Sequence, residues 1–255
     1  LKEENPNTKF CQWFLDPLNK NGPDFERNKK RILDKIDLMD ASFMTTSPNA
    51  LKFLPEKRNY FIPNPSDHSF ETLNNFNKSC SVDVFFALSH GVHRGILKSG
   101  KIDDRVIFLK NLQKLSTDIK FDIYGIDKVQ PIWADHYFKT IANAKMGLNL
   151  SRGKAIKYYS SDRITQIVGN GLVCLIDEKT KYRDYFNNNE MVFYNNENDL
   201  SEKILRISRD EKLRRSIARK GKRKYMRYFN SNKVAKFIIE KTLEIKSNEK
   251  YLWKN

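Results

Sequence analysis

Residues 157–177, KYYSSDRITQIVGNGLVCLID, constrain the fold more than any other part of this chain. They read as a polar loop, a short helix, a Gly-Asn-Gly stop and a buried strand. Ser160, Ser161 and Asp162 are residue types that cap helix starts. Ile164, Ile167 and Val168 recur at helical spacing and form one apolar face, and Arg163 and Gln166 fall off it. Gly169 and Gly171 end the helix. Residues 172–176 are continuously apolar and short, as in a central strand covered on both faces. A helix start that carries an arginine and points out of an α/β sheet can receive an anion.

The rest of the chain alternates in the same way. Strand-like segments are expected at 9–16, 41–45 and 60–62, with helices over 25–38 and 48–54. Pro63-Asn64-Pro65-Ser66-Asp67 then breaks the pattern, because two prolines in three residues continue neither helix nor strand. Beyond it, strands at 82–88, 121–124, 146–150, 172–176 and 191–194 alternate with helices near 103–115, 136–144, 199–208 and 211–228. This order predicts an α/β chain with a doubly wound parallel sheet over 63–231. Residues 1–62 supply a partial second α/β layer, and 232–255 a closing helical segment.

Of the 255 residues, 39% are hydrophobic and 12% aromatic, enough for a real core. The longest apolar runs are too short to span a bilayer. Three cysteines, Cys11, Cys80 and Cys174, lie far apart and are odd in number. That pattern points to reduced thiols and a cytoplasmic setting. The chain opens on Leu and a strand-like segment, so 1–62 is expected to be the C-terminal portion of a longer domain. A net charge of +16 points to anionic partners, or to lysines spread over solvated faces.

Several segments carry residues suited to chemistry. Ser89-His90-Gly91-Val92-His93-Arg94-Gly95 follows the first strand of the larger sheet, where ligands of such sheets bind. Gly91 lets backbone approach a phosphate, and Arg94 can bind one bidentately. His90 and His93 lack a third ligand at metal spacing, so no metal site is expected. Gly125, in Tyr124-Gly125, leaves room at a strand end or serves the turn alone. Residues 212–227, KLRRSIARKGKRKYMR, hold nine lysines and arginines. This run is a candidate contact for an anionic membrane surface, or a solvated face; no nucleic-acid motif accompanies it.

The block around Ser161, Arg163, Gln166 and Gly171 resembles the GT-B glycosyltransferases of group-1 type, whose pattern is roughly S-x-R-x-x-E-x-x-x-x-G. The resemblance covers about residues 9–229. It implies transfer of a sugar from a nucleotide-sugar donor to a glycan or lipid-linked acceptor, in cell-surface glycan synthesis. It further implies no metal and no cofactor, and a site at the inner face of the membrane. Arg163, Ser160, Ser161, Asp162, Gln166, Arg94, Arg105, Gly91, His90 and Gly125 become candidate donor contacts. Arg105 matches the family's helix-opening arginine better than Arg94 does. Gln166 stands where the family has a ribose-binding glutamate, and its partner position falls on Tyr158. Asp16 is the candidate catalytic base. Two other readings stay open: a nucleotide-sugar epimerase or hydrolase on the same fold, and a non-catalytic basic module for nucleic acid or membrane.

Overall fold

The computed structural model describes residues 2–20, 22–56, 58–88, 96 and 100–253. The first sheet is built from β1 (Cys11–Phe14), β2 (Ala41–Met44) and β3 (Asn59–Phe61), all parallel and in that order. β2 is the central strand and all four of its residues are buried. α1 (Phe25–Ile36) makes the crossover from β1 to β2, and buries Asn28, Ile32 and Ile36. Their spacing of four residues keeps them on one helix face.

The second sheet has five parallel strands: β4 (Val82–Ala87), β5 (Phe121–Tyr124), β6 (Ala144–Asn149), β7 (Val173–Asp177) and β8 (Val192–Tyr194). Their spatial order is β5-β4-β6-β7-β8. α2 (Asp104–Leu115) and α5 (Glu197–Arg209) cover one face and meet each other there. α3 (Ala134–Ile141), α4 (Arg163–Gly169) and α6 (Glu211–Tyr228) cover the other. β6 and β7 are almost wholly buried, and β7 reads as an apolar run up to its closing Asp177.

The chain leaves β4 for β5 on one side and returns to β6 on the other. The connections therefore diverge between β4 and β6. A crevice opens at the carboxyl ends of the strands where that happens. This topology, rather than any one motif, decides where a ligand can sit.

The core on the α4 and α6 face runs on into the first sheet. It joins Phe43 and Phe61 to Tyr158, Tyr185, Phe229 and Phe237. α7 (Ser231–Thr242) brings Phe237 against Phe43 and Tyr60 of the first sheet. The Pro-rich crossing is laced in as well: Tyr225 donates to the Asn64 carbonyl at 2.7 Å, and the Ser66 amide to Phe229 at 2.9 Å. Among the described residues no helix is long and apolar enough to cross a membrane.

Candidate active site

At the carboxyl end of the second sheet lies a cavity of about 340 Å3. Leu88, just past β4, and Ser151 and Arg152, just past β6, form its floor at the switch point. Tyr159, Ser161, Asp162 and Arg163 close one wall ahead of α4. The facing wall comes from the first sheet and α1: Leu15, Asp16, Pro17, Asp24 and Arg27. Asn64, in the crossing, stands between the two.

Among the described residues four arginines reach this cavity: Arg27, Arg105, Arg152 and Arg163. Asp103, with none of its side chain exposed, organises two of them. It caps α2 by accepting from the Arg105 amide at 3.0 Å. The same carboxylate grips the Arg105 guanidinium at 2.9 and 2.7 Å and accepts from Arg152 Nε at 3.0 Å. Two cations on one buried carboxylate are fixed in direction before any ligand arrives. Arg152 Nη1 also donates to Asp24 at 2.9 Å, an ion pair from the second sheet to the start of α1.

Arg163 is held differently. Its Nη2 donates to the Leu150 carbonyl at 2.8 Å, and its guanidinium lies 5.2 Å from the Phe86 ring centre. Nε is buried and has no hydrogen-bond partner. Burial holds the Arg163 pKa down to about 10, and the charge of Arg105 adds to this. Arg163 is therefore charged at neutral pH, with an unmet donor in a site rich in cations. Such a group stabilises an incoming anion more than a solvated arginine does. Asp104, beside Asp103, has its carboxyl raised by burial and then by that neighbour.

The capping expectation for 160–162 fails. Asp162 precedes α4 but makes no side-chain cap bond. Ser161 Oγ donates instead to Asn149 at 2.8 Å, and buried Ser160 shares its hydroxyl with Tyr182 at 2.8 Å and accepts from Asn64 at 3.1 Å. Tertiary partners won the competition for those hydroxyls. α4 is only seven residues long, so its dipole adds little and the positive field is made by arginine side chains.

The structure brings Arg163, Ser161, Asp162, Arg105 and Asp16 together around the cavity. Ser160, Gln166 and Gly125 are not among its lining residues. Gly125 has φ +84°, and a Cβ there would meet the Leu88 carbonyl at 2.2 Å, so the turn itself requires glycine. Tyr158 is a buried core residue whose hydroxyl donates to Asp184 at 2.7 Å. Asp16 is ion-paired with Arg31 at 2.7 Å. His90, Gly91, His93 and Arg94 lie outside the described residues. Sequence reasoning missed Arg152, Asp103, Asp24, Arg27 and Asn64. Arg152 carried a usable signal: it follows the strand 146–150 at the end where ligands bind.

A family model described as glycosyl transferase-like matches residues 105–240, more than half of the 255. The chain belongs to this glycosyltransferase family. The matched span contains Arg105, Arg152 and Arg163, three of the four cavity arginines. A search of curated proteins finds no match. Among solved structures, a S. aureus TarM mutant in complex with Fondaparinux, alpha-GlcNAc-glycerol and UDP is similar, with TM-score 0.65 and 13% identity. The alignment covers 94% of this chain and 52% of that one, so the chain spans about half of TarM's length. Anabaena HepE in complex with UDP and glucose gives TM-score 0.61 and 13% identity, over 93% of this chain and 72% of the other. Sucrose-phosphate synthase from Thermosynechococcus elongatus gives 0.58 and 11%, over 95% and 69%. At such identities the likeness shows a shared GT-B fold.

Proposed function

We propose that this chain moves a sugar from a nucleotide-sugar donor to an acceptor hydroxyl, with the donor diphosphate seated on Arg105, Arg152 and Arg163. The unmet Nε of Arg163, in a cavity that three further arginines reach, carries the reading. In the reaction the acceptor oxygen bonds to the anomeric carbon. The bond from that carbon to the donor phosphate breaks, and the nucleoside diphosphate leaves with the electron pair. Negative charge therefore grows on the leaving group. Arginines fixed in advance by Asp103 and the Leu150 carbonyl stabilise that charge where it develops, without reorganising. In this reading these side chains supply the positive charge that a metal ion supplies elsewhere.

The acceptor enters from the first-sheet wall. Asp16 lies on that rim and is assigned the acceptor proton. An acceptor at the outer end of a glycan suits an open cleft of this kind, and synthesis of cell-surface glycans fits that reading. UDP, present in the TarM and HepE complexes, is the first nucleotide to test. The experiment is calorimetric titration of the full chain with nucleoside diphosphates, repeated on Arg163→Ala. UDP or another diphosphate should bind the parent and bind the variant weakly. If none binds the parent, or the variant binds as well as the parent, the reading is wrong.

A further inference from the structure

The basic run of α6 does not behave as one surface. Arg214 is fully buried, donating to the carbonyls of Asn75 at 3.1 Å and Lys78 at 3.0 Å. Arg215 is paired with Glu211, and Lys224 with Glu190. Lys212, Arg219, Lys220, Arg223 and Arg227 stay exposed, and of these Arg219, Arg223 and Arg227, four residues apart, form a stripe on one helix face.

This stripe edges a shallow groove of about 400 Å3. Phe76 and Met226 form its apolar floor, and Lys222 adds a fourth cation. Among the described residues no carboxylate lines it. The nearby Glu71 is buried and engaged with the Asp67 amide at 2.6 Å. Lys222 is anchored through the Glu71 and Leu73 carbonyls, and Arg219 lies over the Phe76 ring at 5.3 Å. On the same 67–73 segment Phe70 is 66% exposed.

The groove sits at the end of the second sheet opposite the arginine cavity. Asn75 binds the carbonyls of Ile141 and Ala144, at the start of β6, and Phe76 abuts Gly171, just ahead of β7. The cavity lies past the other ends of the strands. A ligand on the groove would leave the cavity untouched.

We propose that this face docks on an anionic phospholipid surface. Four cations without a lining carboxylate match a layer of phosphate headgroups. Phe70, two residues from His68 of the groove lining, is an exposed apolar ring of the kind that inserts at the headgroup–acyl boundary. A phosphate backbone such as that of duplex DNA would use the cations but leave the apolar floor of Phe76 and Met226 without a partner.

The test is co-sedimentation of the full chain with phosphatidylcholine vesicles, with and without phosphatidylglycerol, alongside duplex DNA titration. The parent should bind the anionic vesicles and not the neutral ones. The Arg219→Gln/Arg223→Gln/Arg227→Gln variant should bind them about 100-fold more weakly. The triple Arg→Lys variant should keep most of the binding, and Phe70→Ser should reduce it. Nucleotide titration on each variant should match the parent, which also checks that the cavity end is folded. Should the triple Gln variant misfold, Arg223→Gln/Arg227→Gln spares the Arg219–Phe76 contact and should still show a clear loss. The proposal is overturned if the parent binds both vesicle types equally or neither, or if the folded variants bind as the parent does. DNA binding that depends on the same arginines, without vesicle binding, would reassign the face to nucleic acid.

Discussion

Arg163 illustrates how one residue's role depends on what surrounds it. A guanidinium held by a single backbone carbonyl, with Nε unmet, costs stability in the free protein. In the proposed function, the donor phosphate would offset that cost. Arg163→Ala should therefore weaken nucleoside-diphosphate binding by about 1.5–3 kcal/mol, the scale of a charged hydrogen bond. Calorimetric titration reads the loss directly. Gly125 is the contrasting case, with a structural role. Its left-handed φ of +84° and the Leu88 carbonyl at 2.2 Å from a built Cβ leave no space for a side chain. Gly125→Ala should cost at least about 1–2 kcal/mol from the backbone conformation alone. A shift in the denaturation midpoint measures it, and a neutral result would show that the turn relaxes freely.

At the scale of elements, α6 shows a basic helix divided between structure and surface. Its Arg214 reaches from the helix to the carbonyls of Asn75 and Lys78, near the foot of the second sheet. Arg214→Ala should destabilise the chain by roughly 3 kcal/mol, because buried carbonyls lose their donor. The partner carboxylate gives a pH signature. Arg214, then Arg215, holds the Glu211 carboxyl down at about 2, against 4.5 for the free group. A depressed carboxyl contributes stability that is complete above 4.5 and disappears as pH falls through 2. Glu211 is 43% exposed, so solvent screening limits the contribution to about 1 kcal/mol. Glu211→Gln should flatten the acid limb of the stability curve in that window and leave its slope near pH 7 unchanged. A parallel downward shift at all pH values would mean the contact acts by packing instead.

At the scale of the whole molecule, the two sheets meet across the cavity through Asp24 and Arg152. Asp24 offers Arg152 a carboxylate where a donor phosphate would compete. Asp24→Asn should tighten nucleotide binding by about 1 kcal/mol, the upper range for a partly exposed ion pair. The same change should leave the first sheet intact, since Ile32, Met44 and Leu18 hold that layer by apolar contact. Unchanged or weaker nucleotide affinity in Asp24→Asn would show that the pair orients Arg152 more than it competes for it.

Alternation of apolar runs with helical periodicity was enough to read nearly every strand and helix, because each is decided by neighbours within a few residues. The seven-residue α4 and the strand after it follow from Gly169, Gly171 and five apolar residues in a row. The Pro63 and Pro65 break marks the crossing for an equally local reason. The family resemblance was legible in the same block. The cavity was legible only in part. Arg163 and Arg105 were in view, yet the hydroxyls of Ser160 and Ser161 went to Tyr182, Asn64 and Asn149, residues 12 to 96 positions away. Asp103 reads as an ordinary helix cap, and its second task of holding Arg152 needs β6 to end beside the start of α2. Likewise α6 reads as a uniformly basic helix, until its packing buries Arg214 and leaves Arg219, Arg223 and Arg227 outside. Local pattern determines which backbone forms. The order of strands in the sheet determines which distant side chains share a charge, and that order is set by the packing of the whole chain.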